Sequence, residues 1–582
     1  MDIFTQLKKK VLDTCKSNFG VNISKVEIRF SKNISIGQIS ISTAMEAASK
    51  TKQELNYIAQ VIINSIKDLS YFESASFHTS GFINIKLTNV FWHTHLKEII
   101  LNNKNYFKIN IGKGQNVNIE YASVNPTGPL HIGHARNAVL GDVLSNLMKQ
   151  CGFNVTKEYY VNDFGSQIDN LIKSVLIRYE NVVLKSNKTI PEGLYTGKYL
   201  EEIAQVIFKI HSNSLINKTF NSQINILKKF CVEKMVNLIK EDLKKIDIKH
   251  DHFFYESNLH KKDDITKVIE ILNKKNLIYL GQLPDPIAKT KVKKDSKSKS
   301  IIFKSTEFDD LEDRVLQKHD KNWTYFASEV AYIKNKMDRN FDQIITILGA
   351  DHIGYIKRCN AIFNLLNEKK NAKYIIKICQ LVKYIKNGKL IKMSKRAGNF
   401  QSLSEIIDLT SKDTLRYMMI SRKCESHLDF DINKSILKSN ENPIFYIQYA
   451  NTRAYSILRK AEKLNILNNF DVEKLNIDIS KINFSLLSLN HEINLITKLT
   501  EWIFILKKSL ESYEPHRIAF YTYDIASTFH SIWNAKEDGK SYKFINQEKL
   551  DLTFARLSLV IAFIKIIKEC FKIIGIDDVR KM

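Results

Sequence analysis

The sequence predicts an α/β protein. A central domain is built on a parallel sheet, with an α+β domain ahead of it and an all-helical domain behind it. Three observations carry that prediction. First, "VNIEYA" at 117–122 alternates like a strand, the run from His131 to Gly152 has apolar residues at helical spacing, and "NVTKEYYV" at 154–161 alternates again. Strand, helix, strand in that order is a βαβ unit, so the strands are parallel and ligands sit beyond their C-terminal ends. Second, "KVEIRF" (25–30) and "GFINIKL" (81–87) alternate, with the helically spaced "ELNYIAQVIINSIKDL" between them. Third, from about residue 435 the pattern is helical almost to the end. The predicted divisions are 1–110, 111–435 and 436–582.

Within this frame, 165–280 reads as mostly helical, and "QIITILGADH" (343–352) reads as a strand running into a loop. Asn442-Pro443 reads as a helix start, with Asn as N-cap and Pro at the first position. "LSLVIAFIKIIKECFKIIG" is apolar but broken by lysines, so it reads as an amphipathic helix and not as a membrane span. The N-terminus lacks the apolar core of a signal peptide. Seven cysteines, an odd number with no CxxC pair, argue against a disulfide framework and a cysteine-based zinc site. A reduced cytoplasm fits. The net charge of +26 favours a polyanionic partner, nucleic acid first, although many lysines also read as solvated surface.

Two stretches carry chemistry. "HIGH" puts His131, Gly133 and His134 at a helix N-terminus just after a strand. Exposed N–H groups and the positive end of the helix dipole make such a place an anion site. A bare Gly133 lets a flat base or a phosphate approach, and imidazoles can donate to phosphate oxygens. The plainer reading is a pair of ordinary surface histidines. "LIKMSKRAGNF" (390–400) places Lys392, Lys395 and Arg396 on a glycine-containing loop. Such ammoniums can hold a pyrophosphate leaving group more strongly in the transition state than in the ground state. By itself the string is solvated surface.

Together, HIGH followed at long range by KMSK resembles the paired signatures of class I aminoacyl-tRNA synthetases. The surrounding segments resemble the arginyl-tRNA synthetase family: "EYASVNPTGPLHIGHARNAVLGD", "YFASEVAYIKNKMDRNFDQIITILGADHIGYIKR", "KMSKRAGNF", "NPIFYIQYANTRAYSILRKA", and the end from "YDIASTFHSIWNA" through "IGIDDVRKM". The resemblance runs from about residue 110 to the C-terminus, and more loosely through the N-terminal domain. It implies a Rossmann-like catalytic domain with insertions, an N-terminal domain that contacts the tRNA corner and a helical anticodon-binding domain. The implied reaction is ATP-dependent activation of L-arginine to arginyl-adenylate, with transfer to the 3′ end of tRNA(Arg). Activation is implied to depend on bound tRNA.

The resemblance also assigns residues. His131, His134, Lys392 and Lys395 would be catalytic. ATP would be bound by His131, Gly133, His134, Asp351, His352, Lys392, Met393, Ser394 and Lys395, with Mg²⁺ as its counter-ion and no protein-held metal. L-Arginine would be bound by Glu120, Asn125, Tyr325 and Glu329. The family's usual residue at the last position is Asp, so this contact departs from its pattern. A guanidinium needs such carboxylate and carbonyl acceptors set for a planar fork. Tyr449, Arg453 and Met582 would face the anticodon, with core packing as the rival for Tyr449. Members that lose the KMSK lysine carry a lysine upstream of HIGH; here Gly128 stands there and Lys395 is kept. The basic run 289–300 reads either as a solvated loop or as a tRNA contact. A monomer without membrane attachment is the family expectation. The rivals are a cysteinyl enzyme, a non-catalytic tRNA-binding paralogue and a HIGH-bearing nucleotidyltransferase. Scattered cysteines, intact motifs and the helical C-terminal domain argue against each in turn.

Overall fold

The computed structural model describes residues 3–31, 34–101, 104–282, 299–367, 372–391, 401–467, 471, 474–537 and 539–582. The N-terminal sheet contains β1 (Ile28–Phe30), β2 (Ile39–Ile41), β3 (Phe72–Phe77) and β4 (Ile83–Leu87), all antiparallel in the order β1-β2-β4-β3. Ile39 and Ile41 pair with Ile85 and Ile83, so isoleucines line one face. That face packs on Ile3, Phe4 and Leu7 of the first helix. β2 and β3 were not expected: β2 is too short to show an alternation, and β3 carries two serines and a glutamate.

The central sheet begins with β5 (Asn116–Glu120), β6 (Asn154–Val161) and β7 (His252–Tyr255). An antiparallel excursion follows, β8 (Ile278–Gly281), β9 (Ser300–Phe303) and β10 (Arg314–Gln317). The chain then returns as β11 (Gln343–Gly349) and β12 (Lys373–Cys379). The five-stranded sheet is fully parallel, in the order β12-β11-β5-β6-β7. The strand order reverses between β5 and β11, and in an open α/β sheet the crevice at that reversal is where ligands bind. The residues at its lip are Glu120 and Gly349, with the helix Ile132–Gln150 starting above them. The segment 165–280 is mostly helical, as expected; β7 within it went unseen, because its four residues are too few to show a period.

A smaller sheet follows: β13 (Val382–Lys386) pairs antiparallel with β14 (Lys389–Ile391) and parallel with β15 (Leu428–Asp431). The C-terminal part is a helical bundle, with long helices at Pro443–Lys463, His516–Trp533 and Leu550–Ile574. Asn442 is the N-cap and Pro443 the first helical residue, as expected, although the Asn442 side chain makes no cap bond and its Nδ2 donates back to the Ser435 and Leu437 carbonyls. One expectation is corrected here. The Leu550–Ile574 helix is not amphipathic: nearly every residue from Thr553 to Ile567 is buried, Lys565 included, because the bundle and the Asn89–Ile100 helix surround it. The Lys565 ammonium donates to the Ile100 carbonyl at 2.6 Å, and burial pushes it down to about 8. Among the described residues no helix is long and apolar enough to cross a membrane. All seven cysteines are buried thiols.

Candidate active site

His131 is the N-cap of the helix after β5. Its Nδ1 accepts from the Gly133 N–H at 3.1 Å, while His134 Nδ1 accepts from the His131 N–H at 3.2 Å. The two rings stack with centroids 3.7 Å apart. With both Nδ1 atoms accepting, each neutral imidazole carries its proton on Nε2. The motif therefore presents a pair of N–H donors at the positive end of a helix, beside the switch-point crevice. Gly133 has a second reason to be bare: a Cβ there would come within 2.9 Å of the His131 ring.

A wall of carboxylates lies below. Glu120, at the end of β5, is buried; its Oε2 accepts from the Lys336 ammonium at 2.5 Å and its Oε1 from the Ser123 hydroxyl at 3.0 Å. Glu158, its neighbour on β6, is bidentate with Arg339 and also accepts from Tyr332 and Asn118. Tyr325 and Glu329 share one face of the Tyr325–Asp338 helix, with Tyr325 exposed over Gly165. Glu329 keeps part of its surface exposed while its carboxyl end is desolvated. That desolvation, reinforced by the charges of Glu120 and Glu256 and opposed by Lys336, pushes its carboxyl up to about 7. Glu256, just past β7, is buried and is also pushed up to about 7, chiefly by burial. The Asn162 amide, turned to its satisfied orientation, donates to Glu256 at 3.1 Å. Two carboxyls raised this far mark a place short of positive charge. Asn125 is half-buried, and its Nδ2 donates to Gln167.

Asp351 and His352 sit exposed in the turn after β11, across the crevice from β5, with His352 Nε2 3.3 Å from Asp351 Oδ2. Lys392, Met393, Ser394 and Lys395 lie outside the described residues, as does most of the run 289–300. The chain that follows 392–400 is tied to the HIGH element. Ser402 bridges His131, and the Leu403 N–H donates to the Leu130 carbonyl. Arg136, buried two residues after His134, donates to the carbonyls of Gln380, Lys423 and Ser426 at the base of the β13–β15 sheet.

In the bundle, the Arg453 guanidinium lies 4.2 Å from the Tyr449 ring centroid and 4.8 Å from that of Trp533, and it donates to the Tyr449 hydroxyl at 3.0 Å. Tyr449 is more than a third exposed, so it is not a core residue. Met582 is 59% exposed, at the end of a tail held on the same helix by Asn451, Tyr455 and Arg459. Sequence reasoning missed Glu256, whose strand went unseen, and Lys336, although its spacing from Glu329 on one helix face was readable.

A switch-point crevice in a doubly wound sheet, with two stacked histidines capping the helix after its first strand, defines a class I aminoacyl-tRNA synthetase. The family described as "tRNA synthetases class I (R), catalytic domain" matches residues 95–427; "Arginyl tRNA synthetase N terminal domain" matches 5–87, and "DALR anticodon binding domain" matches 447–582. The chain belongs to the arginyl-tRNA synthetase family. It is 41% identical to the arginine–tRNA ligase of Rickettsia felis and 42% identical to that of Rickettsia canadensis, each over 100% of both chains. The solved arginyl-tRNA synthetase of Thermus thermophilus shares its fold with a TM-score of 0.74 at 17% identity, covering 99% of this chain and 100% of that one.

Proposed function

We propose that the protein charges tRNA(Arg) with L-arginine at the expense of ATP. The observation that carries this is the pair Glu256 and Glu329 beside Glu120 and the HIGH helix: among the described residues these two carboxyls have no ion-pair partner, and a guanidinium supplies one. Tyr325 and Asn125 frame the same pocket. The α-carboxylate of arginine attacks the α-phosphorus of ATP, the bond to the bridging oxygen breaks and pyrophosphate leaves. His131 and His134 donate to the phosphate oxygens as charge builds, while Gly133 leaves the nucleotide room. Asp351 and His352 face the adenosine side of the crevice. Lys392 and Lys395, with Met393 and Ser394 between them, stabilise the charge of the pyrophosphate leaving group. Mg²⁺ arrives with ATP as the counter-ion of its phosphates. The terminal ribose hydroxyl of the tRNA then attacks the activated carbonyl and AMP leaves; no side-chain nucleophile is needed.

The division of labour follows the domains. Residues 1–110 meet the tRNA corner, 111–435 carry out the chemistry and 436–582 read the anticodon through Tyr449, Arg453 and Met582. A cytoplasmic monomer completes the reading. The test is charging of total tRNA with each amino acid in turn, alongside ATP–pyrophosphate exchange with and without tRNA. Arginine alone should be charged, and exchange should appear only when tRNA is present. Charging by cysteine, or tRNA retention without any charging, refutes it.

A further inference from the structure

A fully buried guanidinium is ordinarily paired with a carboxylate; Arg136 instead faces three carbonyls. It is 1% exposed, Nη1 donates to the carbonyls of Gln380 at 3.0 Å and Ser426 at 2.6 Å, and Nη2 donates to that of Lys423 at 2.8 Å. Among the described residues it makes no ion pair, and Glu425, in the same turn, is taken by Lys377 at 2.9 Å. The three acceptors belong to one joint. Gln380 and Ser426 each stand two residues before Val382 and Leu428, which pair in parallel across β13 and β15. One terminal nitrogen therefore spans the entry of both strands at the same level. The other holds the turn in which the Ser426 N–H donates to the Lys423 carbonyl. A planar fork of fixed donors suits such a joint, and a single ammonium carries no fork. At its far end the same sheet passes through β14, which ends at Ile391, and the Tyr384 hydroxyl of β13 donates to Gln401 at 2.5 Å. Arg136 lies two residues after His134 on the Ile132–Gln150 helix.

We propose that Arg136 is a positioning residue for the activation step: it locks the β13–β15 sheet to the helix that carries His131 and His134, and so fixes the point from which the chain leaves β14 towards Lys392 and Lys395. This rests on the reading of those histidines and lysines as the groups that stabilise the transferring phosphates. Such stabilisation requires donors set in place before the charge develops. Donors supplied by two separate pieces of chain are only as well placed as the joint between the pieces. Arg136 and Gln380 are 244 residues apart in sequence, and the guanidinium is where their two elements are fastened. The joint lies away from Glu120, Glu256 and Glu329, none of which Arg136 touches. Its loss should therefore fall on the chemical step and spare the binding of arginine.

The test is a double-mutant cycle in the full chain with tRNA present: wild type, Arg136→Met, Lys395→Ala and the double variant, read by pyrophosphate exchange at saturating ATP and L-arginine. Arg136→Met should lower kcat at least about tenfold, the scale of a displacement of less than about 1 Å. The equilibrium Kd for L-arginine should stay within about twofold of wild type. In the Lys395→Ala background the same substitution should cost less than about threefold more, because most of what it positions is gone. Arg136→Lys, which keeps the charge and gives up the fork, should fall between wild type and Arg136→Met. A merely structural Arg136 would lower Tm and leave kcat per folded molecule at its wild-type value; that result overturns the proposal. So does a full loss repeated in the Lys395→Ala background, which would make Arg136 act independently of Lys395 while leaving the reading of Lys395 intact. Should Arg136→Met fail to fold by circular dichroism, Arg136→Lys goes through the same cycle and decides alone. Exchange at the wild-type rate in Lys395→Ala alone, or none with arginine in the wild type, would refute the reading of the site, and the proposal with it.

Discussion

Lowering the pH should weaken arginine binding steeply, because the two carboxyls that answer its charge titrate near neutrality. Burial pushes the Glu329 and Glu256 carboxyls up to about 7. A bound guanidinium lowers both, since an opposite charge within reach favours the ionised form. At about pH 6 each is about nine-tenths protonated, and at about pH 8 about one-tenth. Binding should therefore release about 1.8 protons at the lower pH and about 0.2 at the higher one. If both must ionise, affinity falls about a hundredfold over that interval; if one suffices, about tenfold. Calorimetric titration of L-arginine into the enzyme–tRNA complex, in two buffers of different ionisation enthalpy, reads the proton count directly. Equilibrium binding is preferred to kcat/KM because it reads the substrate contact apart from the chemical step.

Stability gives the sign independently. A carboxyl raised in the folded state contributes stability that is full below its ordinary value of about 4.5 and is lost as pH rises towards about 7. Bound arginine reverses that loss, so the arginine-induced rise in Tm should grow with pH across this window. An affinity that is flat, or that strengthens as the pH falls, would show that these two carboxyls do not meet the substrate's charge.

Three further outcomes are expected. Arg416→Met should cost about 3–5 kcal/mol in urea denaturation, because the fully buried guanidinium pairs with Asp142 on the HIGH helix and donates to the carbonyls of Ile246 and Ile574; Gly575 is bare beside it, where a Cβ would fall 2.2 Å from Nη2. Loss below about 1 kcal/mol would mean the pair is dispensable. Lys395→Ala should lower the activation rate by about two powers of ten or more, read by pyrophosphate exchange, and a near-wild-type rate would remove it from the transition state. Arg453→Ala should raise the KM for tRNA while leaving kcat nearly unchanged; an unaltered KM would make its stacking on Tyr449 and Trp533 purely structural.

Much of the architecture was readable locally. The strands at 117–122 and 154–161, the helix between them and the helical C-terminal domain follow from apolar spacing, which a residue imposes on its near neighbours through backbone geometry. The aromatic "HFFY" of β7 was not readable, because four residues cannot distinguish a strand period from a helical one; with it went Glu256, which directly follows that strand. The Leu550–Ile574 helix misled for the opposite reason. Its lysines suggested a wet face, yet Lys565 satisfies its ammonium on the Ile100 carbonyl from a distant part of the chain.

By itself the sequence determined the order of the elements, the HIGH and KMSK motifs and the family they imply, since these are carried by residues adjacent along the chain. Only the tertiary structure decided where the strand order reverses, which histidine nitrogens accept from the helix backbone and, among the described residues, which carboxylates lack an ion-pair partner. Glu120 and Lys336 are separated by 216 residues and meet because Lys336 of the Tyr325–Asp338 helix reaches the end of β5. Whether a buried charge is answered or waiting depends on what folds against it, and no local pattern records that.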